Sequence, residues 1–205
     1  MGGLARRALM GAALALAAAG AGHAAVPALP GDMGLGNPKA PVTIVEYASL
    51  SCPHCAHFNA DVFPGLKAKY IDTGKVYFVM REFLTPPENV AAAGWLLARC
   101  AGPGKYFPMV DGVFNSQVEW SGGDIRGSLL KVARANGMTD AQFDACLKDE
   151  AGYKALNERV QHAAQVEHVD STPTIEINGK RAPGVPQSLA ELEDDMAAAT
   201  KSGGR

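Results

Sequence analysis

The sequence lacks the motifs that identify several large classes of enzyme and binding protein. Its 205 residues contain no glycine-rich phosphate-binding loop and no Ser/His/Asp arrangement of the hydrolase kind. No basic run occurs and the formal net charge is −2, which argues against nucleic acid as a partner. There are no internal repeats. The function has to be sought in a few individual residues.

Cysteine is scarce, and its four positions carry much of the information. They are Cys52, Cys55, Cys100 and Cys146. Four cysteines allow three pairings, and the close Cys-x-x-Cys spacing of the first two favours one of them. Half of a structural zinc site is the alternative for that pair. Such a site needs two further ligands close together, and the chain has no second Cys-x-x-Cys. We therefore predict a redox-active pair and no metal.

The motif Cys52-Pro53-His54-Cys55 lies between an apolar strand-like run, Val42–Tyr47, and a helix-like segment. At a helix N-terminus, unpaired N–H groups and the positive end of the dipole favour thiolate over thiol. Pro53 can occupy the first turn because no N–H is needed there. A thiol pair in this position is predicted to exchange electrons with other disulfides.

The N-terminus has the pattern of a secretory signal. Arg6 and Arg7 precede an uncharged, alanine-rich stretch that extends to about Gly22, and small residues follow at 22–24. We predict a signal peptide over residues 1–24; an uncleaved membrane anchor and a twin-arginine signal are the alternatives. Cleavage would leave about 180 residues, enough for one domain with a sizeable core. In an oxidising compartment a disulfide can persist.

Apolar periodicity predicts the order β-α-β, a helical block, then β-β-α. The first unit has strands over 42–47 and 76–80 around a helix from about 53 to 70. The block has helices over 90–100, 125–136, about 140–147 and 153–166, with capping boxes at Thr85-x-x-Glu88 and Thr139-x-x-Gln142. The last unit has a strand over 174–177, a turn at 178–179, a short strand near Arg181 and a helix from Ser188.

This order predicts an α/β, thioredoxin-like fold with a helical insertion between the second strand and the later β-β-α half. Residues 25–40 would form an extended lead-in, and residues 41–84 with 168–201 the thioredoxin-like domain. Residues 85–167 would form the inserted helical subdomain, and residues 202–205 a frayed tail.

Three segments together resemble the DsbA family of exported thiol:disulfide oxidoreductases. They are the run from Leu35 to Cys55, Ser171-Thr172-Pro173-Thr174, and Asn178-Gly179-Lys180. The resemblance covers essentially the whole chain after the signal. It implies a periplasmic, monomeric dithiol oxidase whose only redox group is the Cys52–Cys55 disulfide. Reduced or unfolded exported proteins would be its substrates, and a membrane partner of the DsbB kind would reoxidise it.

Roles for the motif residues follow from its chemistry and from this resemblance. Cys52 would be the exposed attacking thiolate, and Cys55, one turn into the helix, the buried resolving thiol. His54 beside the thiolate would stabilise it and make the disulfide a stronger oxidant. Glu46 lies on the strand face shared with Ile44, where a buried carboxylate would have a raised pKa and could manage the proton of Cys55. An exposed edge position for Glu46 is the alternative.

Thr172 and Pro173 are predicted to form the substrate-binding ledge. In thioredoxin-like folds the proline at this point is cis, and the backbone of the preceding residue pairs with the substrate chain. Family members differ at the position of Thr172: the namesake oxidase has an aliphatic residue, whereas related isomerases often have threonine.

Cys100 and Cys146 lie on predicted helices of the inserted block. In an exported protein we expect them to form a structural disulfide. Two buried free thiols and a second redox pair are the alternatives.

Three functions remain open from the sequence. The first is the dithiol oxidase. The second is an isomerase or reductase kept reduced, although the lead-in of about 15 residues is too short for the dimerisation module that such enzymes usually need. The third is a non-catalytic, chaperone-like peptide-binding module, which would need neither His54 nor Thr172-Pro173.

Overall fold

A five-stranded mixed sheet forms the centre of the computed structural model, which describes residues 26–201. Its order is β1-β3-β2-β4-β5, and only β2 and β3 pair in parallel. The strands are β1 (Met33–Gly36), β2 (Val42–Ala48), β3 (Val76–Glu82), β4 (Thr174–Ile177) and β5 (Lys180–Arg181). The predicted signal peptide and the predicted frayed tail lie outside the described residues.

A helical segment follows β2 and runs without a break from residue 53 to residue 71. It consists of α1 (Pro53–His57), a π-helical turn (Phe58–Val62), α2 (Phe63–Leu66) and a second π-helical turn (Lys67–Ile71). The inserted helices are α3 (Glu88–Cys100), α4 (Tyr106–Asn115), α5 (Gln117–Ser121), α6 (Ile125–Ala135), α7 (Asp140–Leu147) and α8 (Glu150–Gln165). After the sheet comes α9 (Leu189–Lys201). The predicted thioredoxin-like fold with a helical insertion is confirmed. Among the helices described, none is both long and apolar enough to span a membrane.

Strand β2 is buried on both faces, because one face packs in the main core and the other against a second cluster that includes α8. Ile44 and Ala48 belong to the large core that also contains Cys52 and Cys55. Val45 and Tyr47 point to the opposite face, where they pack with Ala163 of α8 in a smaller cluster. The C-terminal end of β2 therefore delivers the cysteine motif directly into the main core.

Strand β1 was not predicted, since its glycine-rich segment was assigned only as an extended lead-in. It pairs antiparallel with β3, with Gly34 opposite Val79. A Cβ atom on Gly34 would lie only 1.9 Å from the hydroxyl oxygen of Tyr77. Gly34 weakens the strand signal in the sequence, but its lack of a side chain leaves room for the Tyr77 side chain to cross β1.

One predicted capping box is confirmed and the other is wrong. Thr139 and Gln142 make both bonds of the motif at the start of α7. At α3 the N-cap is Pro87, and no side chain caps the helix. Thr85 instead uses its backbone N–H and carbonyl to bond Ser49 and Ser51, on the loop that leads to Cys52. Helices α4 and α5 were not predicted as separate elements.

Candidate active site

The residues between β2 and α1, Ser49–Cys52, are called here the active-site loop, and hydroxyl groups hold its shape. The N–H of Cys52 donates to the Ser49 carbonyl at 2.9 Å, which closes the turn. Ser51 Oγ donates to the Thr85 carbonyl at 2.7 Å, and Ser49 Oγ accepts from the Thr85 N–H at 3.0 Å. The two serine hydroxyls lie 3.1 Å apart, so the Ser49 hydroxyl is the one left to donate between them.

Cys52 is the N-cap residue of α1, with extended backbone angles (φ −81°, ψ 121°), and Pro53 follows in the first turn. The sequence predicted an exposed sulfur here, which is wrong: Cys52 is only 6% exposed. Its Sγ lies against the Thr172 carbonyl, to which it donates at 3.2 Å. Cys55 is fully buried, and both cysteines are free thiols.

The environments of the two thiols shift their pKa values in opposite directions. The pKa of Cys52 is lowered to about 5, chiefly by a hydrogen bond from the Cys55 thiol, while burial opposes the shift. Thr172 and the backbone N–H groups of Cys55 and His54 lower it further. Burial raises the pKa of Cys55 well above its usual range, and hydrogen bonding to Cys52 and the charge of Glu46 add to this. At neutral pH the pair therefore holds one thiolate and one thiol.

Glu46 is buried in the interior of the sheet, 1% exposed, between Met80 of β3 and Ile175 of β4. This position excludes the exposed-edge alternative. Burial, and secondly the charge of Cys52, raise the pKa of its carboxyl group to about 8. Its Oε1 atom has no hydrogen-bond partner in the described part of the chain. An acid with this pKa exchanges its proton near neutral pH.

The Thr172–Pro173 peptide bond is cis, and the segment leads into β4, the antiparallel neighbour of β2. Folding thus brings Thr172 against Cys52, 120 positions away in the chain. The Thr172 hydroxyl is buried beside Cys52, whose pKa it lowers as a hydrogen-bond donor to the thiolate, and it has no other partner among the described residues. It is positioned as an available donor beside the sulfur.

His54 lies on α1 with an exposed side chain. Its backbone N–H is the part of the residue that lowers the pKa of Cys52 here. The next histidine on this helix, His57, bonds Asp61 at 2.7 Å.

Cys100 and Cys146 form a disulfide that joins the last residue of α3 to α7, with a Cα–Cα distance of 6.1 Å. The alternative of two free thiols is therefore wrong. The disulfide ties two helices of the insertion together and belongs to a different part of the molecule from Cys52 and Cys55.

Sequence analysis did not identify Gln117, the first residue of α5. Its side-chain amide donates to the carbonyls of Leu50 and Cys52, at 2.9 and 3.2 Å. A glutamine on a short helix, 65 positions from Cys52, gives no sequence signal of such a contact.

No group of three or more His, Cys, Asp or Glu side chains within residues 26–201 could hold a metal ion. A cavity of about 440 Å³ lies elsewhere and is lined by Tyr47 and Arg81 among others. Met80 and Glu82 also line it, whereas Cys52, Cys55, Glu46 and Thr172 do not. The cavity is therefore separate from the thiol pair.

Comparisons with known proteins agree with this geometry. A family model described as Thioredoxin matches residues 28–194. "Putative protein-disulfide oxidoreductase" of Rickettsia bellii is 34% identical over 150 residues, which are 72% of this chain and 57% of the relative. Disulfide bond formation protein D of Bacillus subtilis is 28% identical over 163 residues, 75% of this chain and 71% of that protein.

Among solved structures, Wolbachia pipientis alpha-DsbA1 superposes with a TM-score of 0.77 at 27% identity, covering 86% of this chain and 94% of that one. The chain spans little more than half the length of the rickettsial relatives it matches. The match to the family model covers most of the chain, and its neighbours in sequence and structure agree with it. The chain belongs to the thioredoxin family, and within that family it resembles the DsbA proteins.

Proposed function

We propose that this protein is an exported dithiol–disulfide oxidase that donates its Cys52–Cys55 disulfide to folding periplasmic proteins. The observation that carries the proposal is the placement of the two thiols at the start of α1, with Cys52 at the N-cap and Cys55 fully buried inside the first turn; this placement shifts their pKa values in opposite directions. A stabilised thiolate is a good leaving group, so the reduced pair is favoured and the disulfide becomes oxidising. The names of the relatives, protein-disulfide oxidoreductase and disulfide bond formation protein, point to the same chemistry.

The reaction transfers two electrons from the substrate to the protein. A substrate thiolate attacks Cys52 Sγ, the Cys52–Cys55 bond breaks, and Cys55 leaves with the electron pair and takes up a proton. The second substrate thiolate then attacks the substrate sulfur of the mixed disulfide. Cys52 leaves as its thiolate, and the substrate carries a new disulfide. A membrane partner of the DsbB kind would return the protein to its oxidised form.

Glu46 is proposed to manage the proton of Cys55. Its carboxyl group, with a pKa of about 8, is largely protonated at pH 7. The electrostatic effect of Glu46 on Cys55 is direct, since its charge raises the pKa of that thiol. A proton donor in this range suits the moment at which Cys55 becomes the leaving group.

Thr172 and Pro173 are proposed to receive the substrate chain. When Cys52 is protonated, the Thr172 carbonyl accepts from its Sγ; the thiolate has no hydrogen to donate, so ionisation frees the carbonyl. When the sulfur is in a disulfide this carbonyl is free, and an extended substrate segment can bond it as a short added strand. The same contact would direct a substrate sulfur toward Cys52.

The alternative is an isomerase or reductase kept in its reduced form. Thr172 supports this alternative, because related isomerases often have threonine at this position. The reduction potential of the Cys52–Cys55 couple separates the two. We expect a value above about −180 mV, as in oxidising members of the superfamily; a value near −270 mV, that of thioredoxin, would contradict the oxidase. A non-catalytic binding module would show no exchange with model dithiols at all.

His54 is proposed to stabilise the Cys52 thiolate through its backbone N–H and, when protonated, through its charge. His54→Ala should lower the potential by tens of millivolts, since about 30 mV corresponds to 1.4 kcal/mol for this two-electron couple. His162→Ala, in α8, is the control. Equal reduction potentials for His54→Ala and His162→Ala would show that the side chain of His54 does not stabilise the Cys52 thiolate.

A further inference from the structure

The active-site loop is held from two sides by the helical insertion. On one side, the Thr85 backbone bonds Ser49 and Ser51. On the other side, Gln117 bonds the carbonyls of Leu50 and Cys52. The insertion therefore makes hydrogen bonds to every residue of the loop from 49 to 52.

The amide group of Gln117 makes full use of its donors. Nε2 carries two hydrogens, and two carbonyl oxygens lie within hydrogen-bond distance of it. Leu50 is fully buried, and its side chain packs so closely on α3 that a Cβ atom on Gly94 would lie 2.8 Å from Leu50 Cδ1. With its side chain confined in this way, the Leu50 backbone has little freedom to find another donor for its carbonyl.

The second carbonyl belongs to Cys52 itself. It already accepts the first helical bond of α1, from the N–H of Ala56 at 3.1 Å, and the Gln117 amide approaches as a further donor. The orientation of this peptide group determines how Cys52 enters the helix. It thereby determines whether Sγ meets the thiol of Cys55, the carbonyl of Thr172 and the N–H groups at the start of α1.

We infer that Gln117 is a positioning residue for thiol–disulfide exchange: its amide holds the Cys52 backbone in the orientation in which Sγ reaches its hydrogen-bonding groups. The inference deepens the proposed function and rests on it, because it assigns to the insertion a part in the reactivity of Cys52. A glutamine is suited to this task. Asparagine is one methylene shorter, and glutamate when ionised has no donor hydrogen.

Gln117→Met is the principal test, because methionine has a similar length and volume but donates no hydrogen bond. Gln187→Met is the matched control: Gln187 also donates its amide to a backbone carbonyl, that of Val185 at 2.8 Å, but in an exposed segment before α9. The full chain is reduced, and the thiolate of Cys52 is titrated by its ultraviolet absorbance and by its rate of alkylation with iodoacetamide across pH.

In Gln117→Met we expect the acid dissociation constant of Cys52 to fall about fivefold, the factor that corresponds to one net hydrogen bond. The pH dependence of the alkylation rate should shift to higher pH, to the extent that corresponds to this fivefold change in the acid dissociation constant. Gln187→Met should behave like the wild type. If the role of Gln117 were only structural, Gln117→Met would lower the free energy of unfolding but would not change the titration of Cys52. An unchanged titration in folded Gln117→Met would overturn the inference.

Gln117→Asn is a second variant that tests the inference if Gln117→Met does not fold. It keeps the amide and its polarity but cannot span the same distance, so its titration should shift in the same direction; a wild-type titration in folded Gln117→Asn would also overturn the inference. The readout is independent of the direction of electron flow. A reducing potential with the Gln117 effect intact would reject the oxidase and retain the positioning role, whereas an oxidising potential without the effect would do the reverse.

Discussion

Cys52 and Cys55 differ because each occupies a different place in the first turn of one helix. Cys52 precedes the turn, where N–H groups are unpaired, and it receives a hydrogen bond from Cys55. Cys55 lies inside the turn and is fully buried, and burial together with the charges of Glu46 and Cys52 raises its pKa. Three positions along the chain are therefore enough to give the two thiols opposite pKa shifts, as the proposed attacking and resolving roles require.

At the same scale, Glu46 makes the stability of the reduced protein depend on pH. Its pKa is raised from 4.5 to about 8, so the folded state keeps a proton that the unfolded state releases. The contribution of Glu46 to the free energy of unfolding must then fall as pH rises through that window, whereas that of Cys52, whose pKa is lowered to about 5, rises; comparison with a variant at Glu46 isolates the first. Glu46→Gln removes the titrating group, and we expect the variant to be more stable than the wild type at pH 7 by about 3 kcal/mol.

Urea unfolding of the reduced protein at pH 5 and pH 7.5 measures this difference. The advantage of Glu46→Gln should be small at pH 5 and grow toward pH 7.5. Glu158→Gln, at an exposed position paired with Lys154, serves as the control and should change little at either pH. An advantage that does not grow with pH would show that Glu46 is ionised in the folded state.

At the scale of elements, the end of β3 joins the sheet to the insertion through buried charge. The Glu82 side chain is fully buried and accepts from Arg99 of α3 and Arg159 of α8, each at 2.5 Å. The preceding residue, Arg81, bonds Asp32 of the lead-in and the Tyr47 hydroxyl on the other side. One strand end thus ties together the lead-in, the sheet and two helices of the insertion.

Glu82→Gln should lower the free energy of unfolding by about 3–5 kcal/mol, because it leaves two partly buried guanidinium groups without a counter-charge. Denaturant unfolding measures the loss. Glu119→Gln is the matched control, since Glu119 makes an exposed ion pair with Lys131 that contributes little. A loss below about 1 kcal/mol would mean that water or rearrangement of the arginines replaces the carboxylate.

At the scale of the whole molecule, the insertion takes part in the site and has its own covalent support. It supplies Thr85 and Gln117 to the active-site loop, while the Cys100–Cys146 disulfide closes a separation of 46 residues within it. A cross-link of this span stabilises chiefly by restricting the unfolded chain. The proposed reactivity and the covalent cross-link thus belong to two different cysteine pairs.

Replacing both Cys100 and Cys146 by alanine should lower the free energy of unfolding by about 2–4 kcal/mol. The Cys52 thiol should still titrate at about 5, because none of the groups that set its pKa lies at this disulfide. Denaturant unfolding measures the loss of stability, and the ultraviolet titration measures the pKa of Cys52. A shifted titration would reveal coupling between the pairs, and an unchanged stability would show that packing alone holds α3 against α7.

Most of the architecture was predictable because it is written in local patterns. The apolar run of β2, the helical periodicity of the insertion and the Thr139–Gln142 cap depend on residues a few positions apart. Strand β1 escaped prediction because its pairing with β3 depends on backbone groups of a glycine-rich segment. Thr85 was misassigned because a local capping pattern coincided with a contact to the loop 34 positions away.

By itself, the amino-acid sequence determined the family, the order of the elements apart from β1, α4 and α5, and the position of the thiol pair at the end of a buried strand. Only the tertiary structure decided that Cys52 is covered, that Thr172 and Gln117 reach its sulfur and its backbone, and that Glu46 is buried in the interior of the sheet. Those contacts join residues 65 to 120 positions apart. Hydrogen bonds and burial over such separations depend on how whole elements pack, which no local pattern encodes.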